Sequence, residues 1–207
     1  MLSLAAAGPG LLPGDLSVAL VIQRAPVPGG DHVARVLTEL GRTVPAVVAS
    51  LPLGAALLLT GHRGEATLLA LAAAARMATI PLKEMVGSPR PTADLVTITE
   101  QAAGLGFPSG HALGAILFYG SLWLIVPSVL PPGWPARLAR IVAVSLILLT
   151  ALARVRVGAH WPSDVLGGLL WGTILLTAAA LATSTLLPRQ RNPAPEFAAR
   201  FPLSPRN

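Results

Sequence analysis

Two histidines and one aspartate in this 207-residue chain have spacings that suit nucleophilic chemistry. His160 and Asp164 lie four residues apart, and His111 directly follows a Pro-Ser-Gly tripeptide. Because residues four apart on a helix share a face, Asp164 can hold one ring nitrogen of His160 and leave the other free to attack. The carboxylate would also stabilise positive charge as it develops on the ring. His111 could then donate a proton to a leaving oxygen as a general acid.

Three cations and one helix start could bind a phosphoryl group beside these residues. Lys83, the only lysine, precedes Arg90 by seven residues across a Gly-Ser-Pro turn. Arginines offer forked donors with a permanent charge. A helix start adds free N–H groups and the positive end of the dipole, and a glycine there lets phosphate approach the backbone. We expect the phosphate-binding residues to be Lys83, Arg90, Ser109, Gly110 and Arg154.

Composition places these residues in a membrane. The chain is 53% hydrophobic and only 12% charged, with a mean hydropathy of +0.68, whereas a soluble domain carries about 25% charged residues. The net charge of +6 comes mainly from scattered arginines, which favours lipid headgroups as partners and argues against nucleic acid. The absence of cysteine excludes disulfides.

Five apolar segments are long enough to cross a bilayer: 44–60, 65–85, 109–126, 138–157 and 163–187. We therefore predict an all-α, integral-membrane helical bundle with five transmembrane helices, or six if a first span precedes them. Residues 1–43 are predicted to be an apolar N-terminal stub followed by interfacial amphipathic helices. Residues 44–187 form the transmembrane domain, and residues 188–207 form a disordered cytoplasmic tail.

Topology puts the two polar loops on one face. If every span crosses, the loops after the second and fourth spans lie together, and the opposite face carries Arg63, Arg137, Arg140, Arg189 and Arg191. The positive-inside rule makes that opposite face cytoplasmic, so the loops that contain Arg90 and His160 face outward. The N-terminal 43 residues would then also lie outside with three arginines, a difficulty that an additional first span would remove.

Each of these residues also has a purely structural interpretation. Cations near helix ends extend to the headgroups, Ser109 can cap the helix that it precedes, and His160 with Asp164 can be an ordinary helix-start pair. The combination of all three clusters on one face favours function, because ionisable residues at membrane depth are costly. Glu84, Asp94 and Glu100 lack ligand-like spacing, so we interpret them as solvated charges and expect no metal site.

Over residues 30–187 the sequence resembles the type 2 phosphatidic acid phosphatase superfamily, which also includes vanadium haloperoxidases. That family's signature is K-x6-RP, PSGH and SR-x5-H-x3-D, and its polar positions fall here on Lys83, Arg90, Ser109, His111, Arg154, His160 and Asp164. All the spacings fit. One position departs, since Ala153 stands where the family usually has serine, and we expect this to weaken one hydrogen bond at most, by about 1 kcal/mol.

The resemblance implies metal-independent hydrolysis of a phosphate monoester or diphosphate through a phosphohistidine on His160, without a cofactor. Residues 44–187 would be a transmembrane phosphatase domain with a haloperoxidase-like core, in the plasma membrane with its active site outside. We expect a lipid phosphate substrate, first a polyprenyl diphosphate such as undecaprenyl diphosphate, and alternatively phosphatidic acid or phosphatidylglycerophosphate. A non-catalytic lipid-binding or transport protein is the alternative from another class, and the presence of both histidines argues against it.

Overall fold

Residues 11–187, which the computed structural model describes, contain helices and connecting loops but no strand. Counting a run interrupted by a 3-10 or π turn as one helix, this range holds seven. Their bounds are α1 Asp15–Arg24, α2 Gly30–Leu40, α3 Thr43–Leu59, α4 Arg63–Val86, α5 Gly110–Val129, α6 Trp134–Arg156 and α7 Pro162–Leu186.

Helices α4 to α7 are each long and apolar enough to cross a membrane. Helices α2 and α3 meet at 60° and pass the same test together as one broken span, which gives up to five spans. Large apolar side chains remain exposed along the bundle, such as Leu59 at 89% and Ile141 at 62%, as expected for a surface that faces lipid. The predicted all-α membrane bundle is confirmed, and four of the five predicted spans agree with α4 to α7 to within a few residues. The remaining one, 44–60, coincides with α3, which is long enough to cross only together with α2.

Part of the predicted domain organisation is not covered by the structure. The tail at 188–207 and the first ten residues of the N-terminal stub lie outside the described residues. Two helices, α1 and α2, do occupy the region that was predicted to hold amphipathic helices. Their position at the membrane interface, and the domain boundary at residue 43, stay predictions.

A proline interrupts α4 near the end that carries Lys83. Pro81 has no N–H, so the carbonyl of Met77 loses its α-helical partner. A 3-10 turn occupies Arg76–Ala78, and the hydroxyl of Thr79 donates to the Arg76 carbonyl at 2.8 Å. The break separates the last two turns of α4 from the body of the span.

Arg76 stabilises the bend between α2 and α3. Its Nη2 donates to the carbonyl of Gly41 at 2.8 Å, and its Nε donates to the hydroxyl of Thr43 at 3.0 Å. The last carbonyls of a helix have no helical partner, and a cation there also suits the helix dipole. The guanidinium lies against Gly114 of α5, where a Cβ would clash with it. Arg76 thus satisfies backbone groups that the break exposes within a span.

Small residues bring the starts of α5 and α7 together. A Cβ at Gly168 would lie 2.5 Å from the carbonyl oxygen of Ser109, and one at Gly172 would lie 2.8 Å from the Cβ of Ile116. Such positions let two helices approach closely. As a result, the Ser109 N–H donates to the backbone carbonyl of Asp164 at 2.9 Å.

The N-terminal helices are tied to the same end of the bundle. The buried carboxylate of Asp15 accepts hydrogen bonds from the N–H and the hydroxyl of Ser163, at 2.8 and 2.7 Å. Because Ser163 lies in the first turn of α7, this contact satisfies one of the N–H groups that a helix start leaves free. Gln23 of α1 exchanges two hydrogen bonds with the backbone of Thr97, at 2.8 and 3.1 Å. These contacts hold α1 against α7 and against the loop that follows α4.

Candidate active site

The loops 87–109 and 157–161 meet at one end of the bundle, as the topology predicts. The N–H groups of Thr99 and Glu100 donate to the carbonyl of Val157, at 3.0 and 3.3 Å. These loops join the ends of α4 and α6 to the starts of α5 and α7. Three polar clusters that are distant in the sequence therefore come together.

His160 and Asp164 form a buried pair in which the imidazole and the carboxylate are 3% and 0% exposed. Nδ1 of His160 lies 3.4 Å from Oδ2 of Asp164, and the same oxygen accepts the Trp161 N–H at 3.0 Å. A carboxylate only accepts, so we assign the ring proton to Nδ1, which leaves a lone pair on Nε2. A Cβ at Gly106 would lie 2.8 Å from that carboxylate oxygen, so a glycine is needed there.

The free nitrogen of His160 faces a guanidinium. Nε2 lies 3.2 Å from Nη1 of Arg90. Burial lowers the pKa of His160 well below its ordinary value, and the positive charge of Arg90 lowers it further. Both effects keep the ring neutral near pH 7, which is the form that can act as a nucleophile.

Two of the predicted phosphate-binding cations are held by carbonyl groups of the loop after α4. Lys83 donates to the carbonyls of Leu105 and Gly106. Arg90 donates to the carbonyls of Ala103 and Gly104, at 3.0 and 2.8 Å. Arg90 also donates to the carbonyl of Ala159 at 2.7 Å, which links this loop to the loop that carries His160. Arg90 thus reaches His160 directly, while Lys83 is bonded to Gly106, the residue that packs against the Asp164 carboxylate.

The third cation, Arg154, has a carboxylate partner that the sequence analysis missed. Its Nη1 donates to both oxygens of Glu100, at 3.0 and 3.1 Å, and to the hydroxyl of Thr38 at 2.8 Å. The interpretation of Glu100 as a solvated loop charge is therefore wrong. Neither Glu100 nor Thr38 belongs to the signature, and each is distant from Arg154 in the sequence, so spacing could not have identified them.

The start of α5 supplies Ser109, Gly110 and His111. Ser109 is the N-cap residue, and its hydroxyl accepts the Ala112 N–H at 3.5 Å, which agrees with its structural interpretation as a helix cap. Nε2 of His111 is buried and makes no hydrogen bond to any residue from 11 to 187. A Cβ at Gly41 would lie 3.0 Å from the His111 ring, so the imidazole fits beside the bend between α2 and α3.

Ala153, the position that departs from the family signature, packs among apolar residues. It belongs to a buried cluster with Ala34 and Leu37 of α2. A serine there would place a hydroxyl among apolar side chains, which disfavours that residue in this chain.

All eight predicted site residues lie at this end of the bundle, and their roles stay predictions. In the described part of the chain, no three His, Asp or Glu side chains are grouped as metal ligands. The arrangement offers a neutral imidazole aimed at an arginine, two further cations, a second imidazole and a helix start. Such a set can hold a phosphoryl group and attack it.

Comparison with curated proteins identifies two relatives, each named lipid A 1-phosphatase. The protein from Rhizobium etli is 31% identical over 115 residues, covering 51% of this chain and 45% of its own length. The protein from Rhizobium johnstonii is 35% identical over 83 residues, covering 39% of this chain and 30% of its own length. The chain thus spans less than half the length of these curated relatives.

Two solved structures share the fold. The PAP2-type phosphatidylglycerolphosphate phosphatase from Bacillus subtilis has a TM-score of 0.75 and 22% identity, covering 92% of this chain and 94% of its own. LpxE from Aquifex aeolicus has a TM-score of 0.63 and 22% identity, covering 81% of this chain and 95% of its own. A family model for the PAP2 superfamily matches residues 64–188, which is more than half of the sequence. The chain belongs to the PAP2 superfamily.

Proposed function

We propose that this protein hydrolyses a lipid phosphate by a metal-independent mechanism with a phosphohistidine intermediate on His160. The main support for this proposal is the orientation of the His160 imidazole. Nδ1 faces Asp164 at 3.4 Å, while Nε2 faces Arg90 at 3.2 Å. A phosphoryl group bound to Arg90 would therefore lie next to the nitrogen that carries the lone pair.

In the first step, Nε2 of His160 attacks phosphorus and the bond to the leaving oxygen breaks. His111 donates a proton to that oxygen, so the leaving group departs neutral at the broken bond. Lys83, Arg90 and Arg154 stabilise the charge on the remaining phosphoryl oxygens, together with the amides at the start of α5. Asp164 stabilises the positive charge that the imidazole gains.

In the second step, a water molecule attacks the phosphohistidine and the P–N bond breaks. His111, now without its proton, accepts one from the water. Inorganic phosphate leaves, and His160 and His111 return to their starting protonation states. The two steps split one difficult displacement into two easier ones.

The substrate class follows from the membrane setting and from the proteins that this chain resembles. Those proteins are named lipid A 1-phosphatase and phosphatidylglycerolphosphate phosphatase, which supports a lipid phosphate. Undecaprenyl diphosphate remains our first substrate hypothesis, with phosphatidic acid and phosphatidylglycerophosphate as the alternatives. A non-catalytic lipid-binding or transport protein would keep the anion site without turning over any of these lipids.

Turnover in the presence of a chelator tests the proposal. We expect detergent-solubilised protein to release phosphate from at least one of undecaprenyl diphosphate, phosphatidic acid, phosphatidylglycerophosphate and a lipid A 1-phosphate. The rate should be unchanged in excess EDTA, because the proposed chemistry uses only protein side chains. Vanadate should inhibit, because its trigonal-bipyramidal adduct mimics the transition state. Binding of these lipids without phosphate release would support the transport alternative, and loss of activity with EDTA would contradict the mechanism.

We also propose that the site faces the outside of the plasma membrane. The chain contains no cysteine, so single cysteines can report on each loop separately. Thr92 and Pro132 are exposed on loops that should lie on opposite faces. In intact cells, a membrane-impermeant maleimide should label the Thr92→Cys variant and leave Pro132→Cys unlabelled until the cells are lysed. The reverse pattern would place the active site in the cytoplasm.

A further inference from the structure

The carboxylate of Glu100 pairs with Nη1 of Arg154, one of the three cations of the proposed phosphate site, while Nε of Arg154 is buried without a partner among residues 11–187. The two carboxylate oxygens lie 3.1 and 3.0 Å from Nη1 of Arg154, whose side chain is 1% exposed. A third oxygen, the hydroxyl of Thr38, lies 2.8 Å from the same nitrogen. A substrate phosphoryl oxygen that binds Arg154 through this nitrogen must therefore replace Glu100.

Replacement of Glu100 requires little movement of the backbone. The Glu100 N–H remains bonded to Val157 at 3.3 Å, and the neighbouring Thr99 N–H is bonded to the same carbonyl at 3.0 Å. The Glu100 side chain is 21% exposed, in contrast to its arginine partner. Rotation of this side chain toward solvent would thus release Arg154 while the loop stays in place.

Charge determines which ligands can displace the carboxylate. Lys83, Arg90 and Arg154 carry three formal positive charges, and Glu100 and Asp164 carry two negative ones. The five groups therefore sum to +1 with Glu100 in place and to +2 once it has left, and His111, which the proposed mechanism needs in its protonated form, adds one positive charge to both sums. A phosphodiester brings one negative charge, the same as Glu100, and must also lose translational freedom on binding. A terminal phosphate with two negative charges gains a larger Coulomb attraction to the same cations.

We propose that Glu100 is a specificity-determining residue, an internal competitor that terminal dianionic phosphates displace from Arg154 and that monoanionic phosphodiesters do not. The inference rests on the proposed phosphatase function, and it concerns which anions enter the same site. Phospholipids with phosphodiester headgroups surround a membrane protein in large excess over lipids with a terminal phosphate. A carboxylate in this place would keep those headgroups from occupying the cations.

Anion binding by the Glu100→Gln variant tests this assignment. Inorganic phosphate serves as the probe with a terminal phosphate, and dimethyl phosphate serves as the monoanionic phosphodiester. Calorimetry on the purified protein gives both dissociation constants without relying on turnover. The native protein should bind inorganic phosphate and discriminate against dimethyl phosphate. In Glu100→Gln, we expect dimethyl phosphate to bind about tenfold more tightly, with a smaller gain for phosphate, because one charged competitor is removed.

Weaker binding of dimethyl phosphate in Glu100→Gln would overturn the inference. If Glu100 instead holds Arg154 in position, Glu100→Gln should weaken the binding of both anions. An unchanged ratio of the dissociation constants for dimethyl phosphate and inorganic phosphate would also contradict competition between Glu100 and the anions. Asp94→Asn is the matched control, because Asp94 is an exposed acid of the same loop. The ratio of the two dissociation constants in this variant should equal that of the native protein. Thermal unfolding of Glu100→Gln, compared with that of the native protein, separates a change in folding from a change in binding.

These measurements also separate this inference from the proposed function. Native protein that binds phosphate with the expected discrimination, and yet hydrolyses no lipid phosphate, would contradict the catalytic proposal alone. An active enzyme whose discrimination does not depend on Glu100 would contradict only the role of Glu100. Native protein that binds no phosphate would contradict both.

Discussion

Replacing His160 with alanine is expected to lower phosphate release by at least about 10⁴-fold, because it removes the atom that attacks phosphorus. The three cations and the start of α5 remain, so the variant should still bind inorganic phosphate. Steady-state hydrolysis of the best lipid substrate measures the loss, and calorimetry with phosphate checks that the site is intact.

His32→Ala is the matched control for that experiment. His32 lies in α2 with an exposed side chain, and it takes no part in the proposed chemistry. We expect this variant to retain native activity. If His160→Ala keeps turnover near that of His32→Ala, the nucleophile is another group and the phosphohistidine proposal is wrong.

Replacing His111 with alanine should slow hydrolysis of a lipid phosphate by about 10²- to 10⁴-fold, the usual contribution of a positioned general acid. The loss should depend on the leaving group. An alkoxide needs a proton as it departs, whereas a nitrophenolate is already a stable anion. Formation of the phosphoenzyme from p-nitrophenyl phosphate, measured as the first burst of nitrophenolate, should therefore be much less affected.

The difference between the rate losses with the two leaving groups would identify His111 as the general acid. A purely structural role for His111 would reduce the burst with p-nitrophenyl phosphate as much as it reduces lipid hydrolysis. Equal losses with the two substrates would thus remove the general-acid assignment, even if the variant is folded.

The sequence predicted those parts of the fold that depend on local pattern. Each apolar segment of about 20 residues became a helix, because a span must satisfy its own backbone hydrogen bonds. The turn at Arg76–Ala78 also has a local cause in Pro81, which could have been recognised from the sequence. The 60° bend between α2 and α3 also has a local signal, because Gly41 ends α2 and Pro45 lies in the first turn of α3. The contact that stabilises the bend has none, since Arg76 reaches Gly41 from 35 positions away in the sequence.

The candidate site could be predicted where its residues have characteristic spacings in the sequence. The four-residue separation of His160 and Asp164 placed them together without knowledge of the fold. The partners of the site residues were not predictable in this way. Glu100 lies 54 positions from Arg154, Thr38 lies 116 positions from it, and Asp15 lies 148 positions from Ser163. Such contacts depend on how whole helices pack, so they leave no periodic mark in the sequence.

Ala153 shows how packing changes the meaning of a departure from a pattern. The resemblance to the family implied that one hydrogen bond in the phosphate pocket would be weakened. In the structure the residue lies against Ala34 and Leu37 of α2. Helix packing therefore accounts for alanine at this position, and the expected effect on one hydrogen bond of the phosphate pocket stays a prediction.

Isolation of the phosphoenzyme is the strongest test that His160 is the nucleophile. In His111→Ala, p-nitrophenyl phosphate should still phosphorylate the enzyme, while the water that breaks the P–N bond lacks its base, so the phosphoenzyme should accumulate. Rapid quenching under alkaline conditions, followed by peptide mass spectrometry, locates the phosphoryl group. We expect one phosphoryl group, on His160. A phosphoryl group on any other residue, or none during active turnover, would contradict the assignment of His160 as the nucleophile.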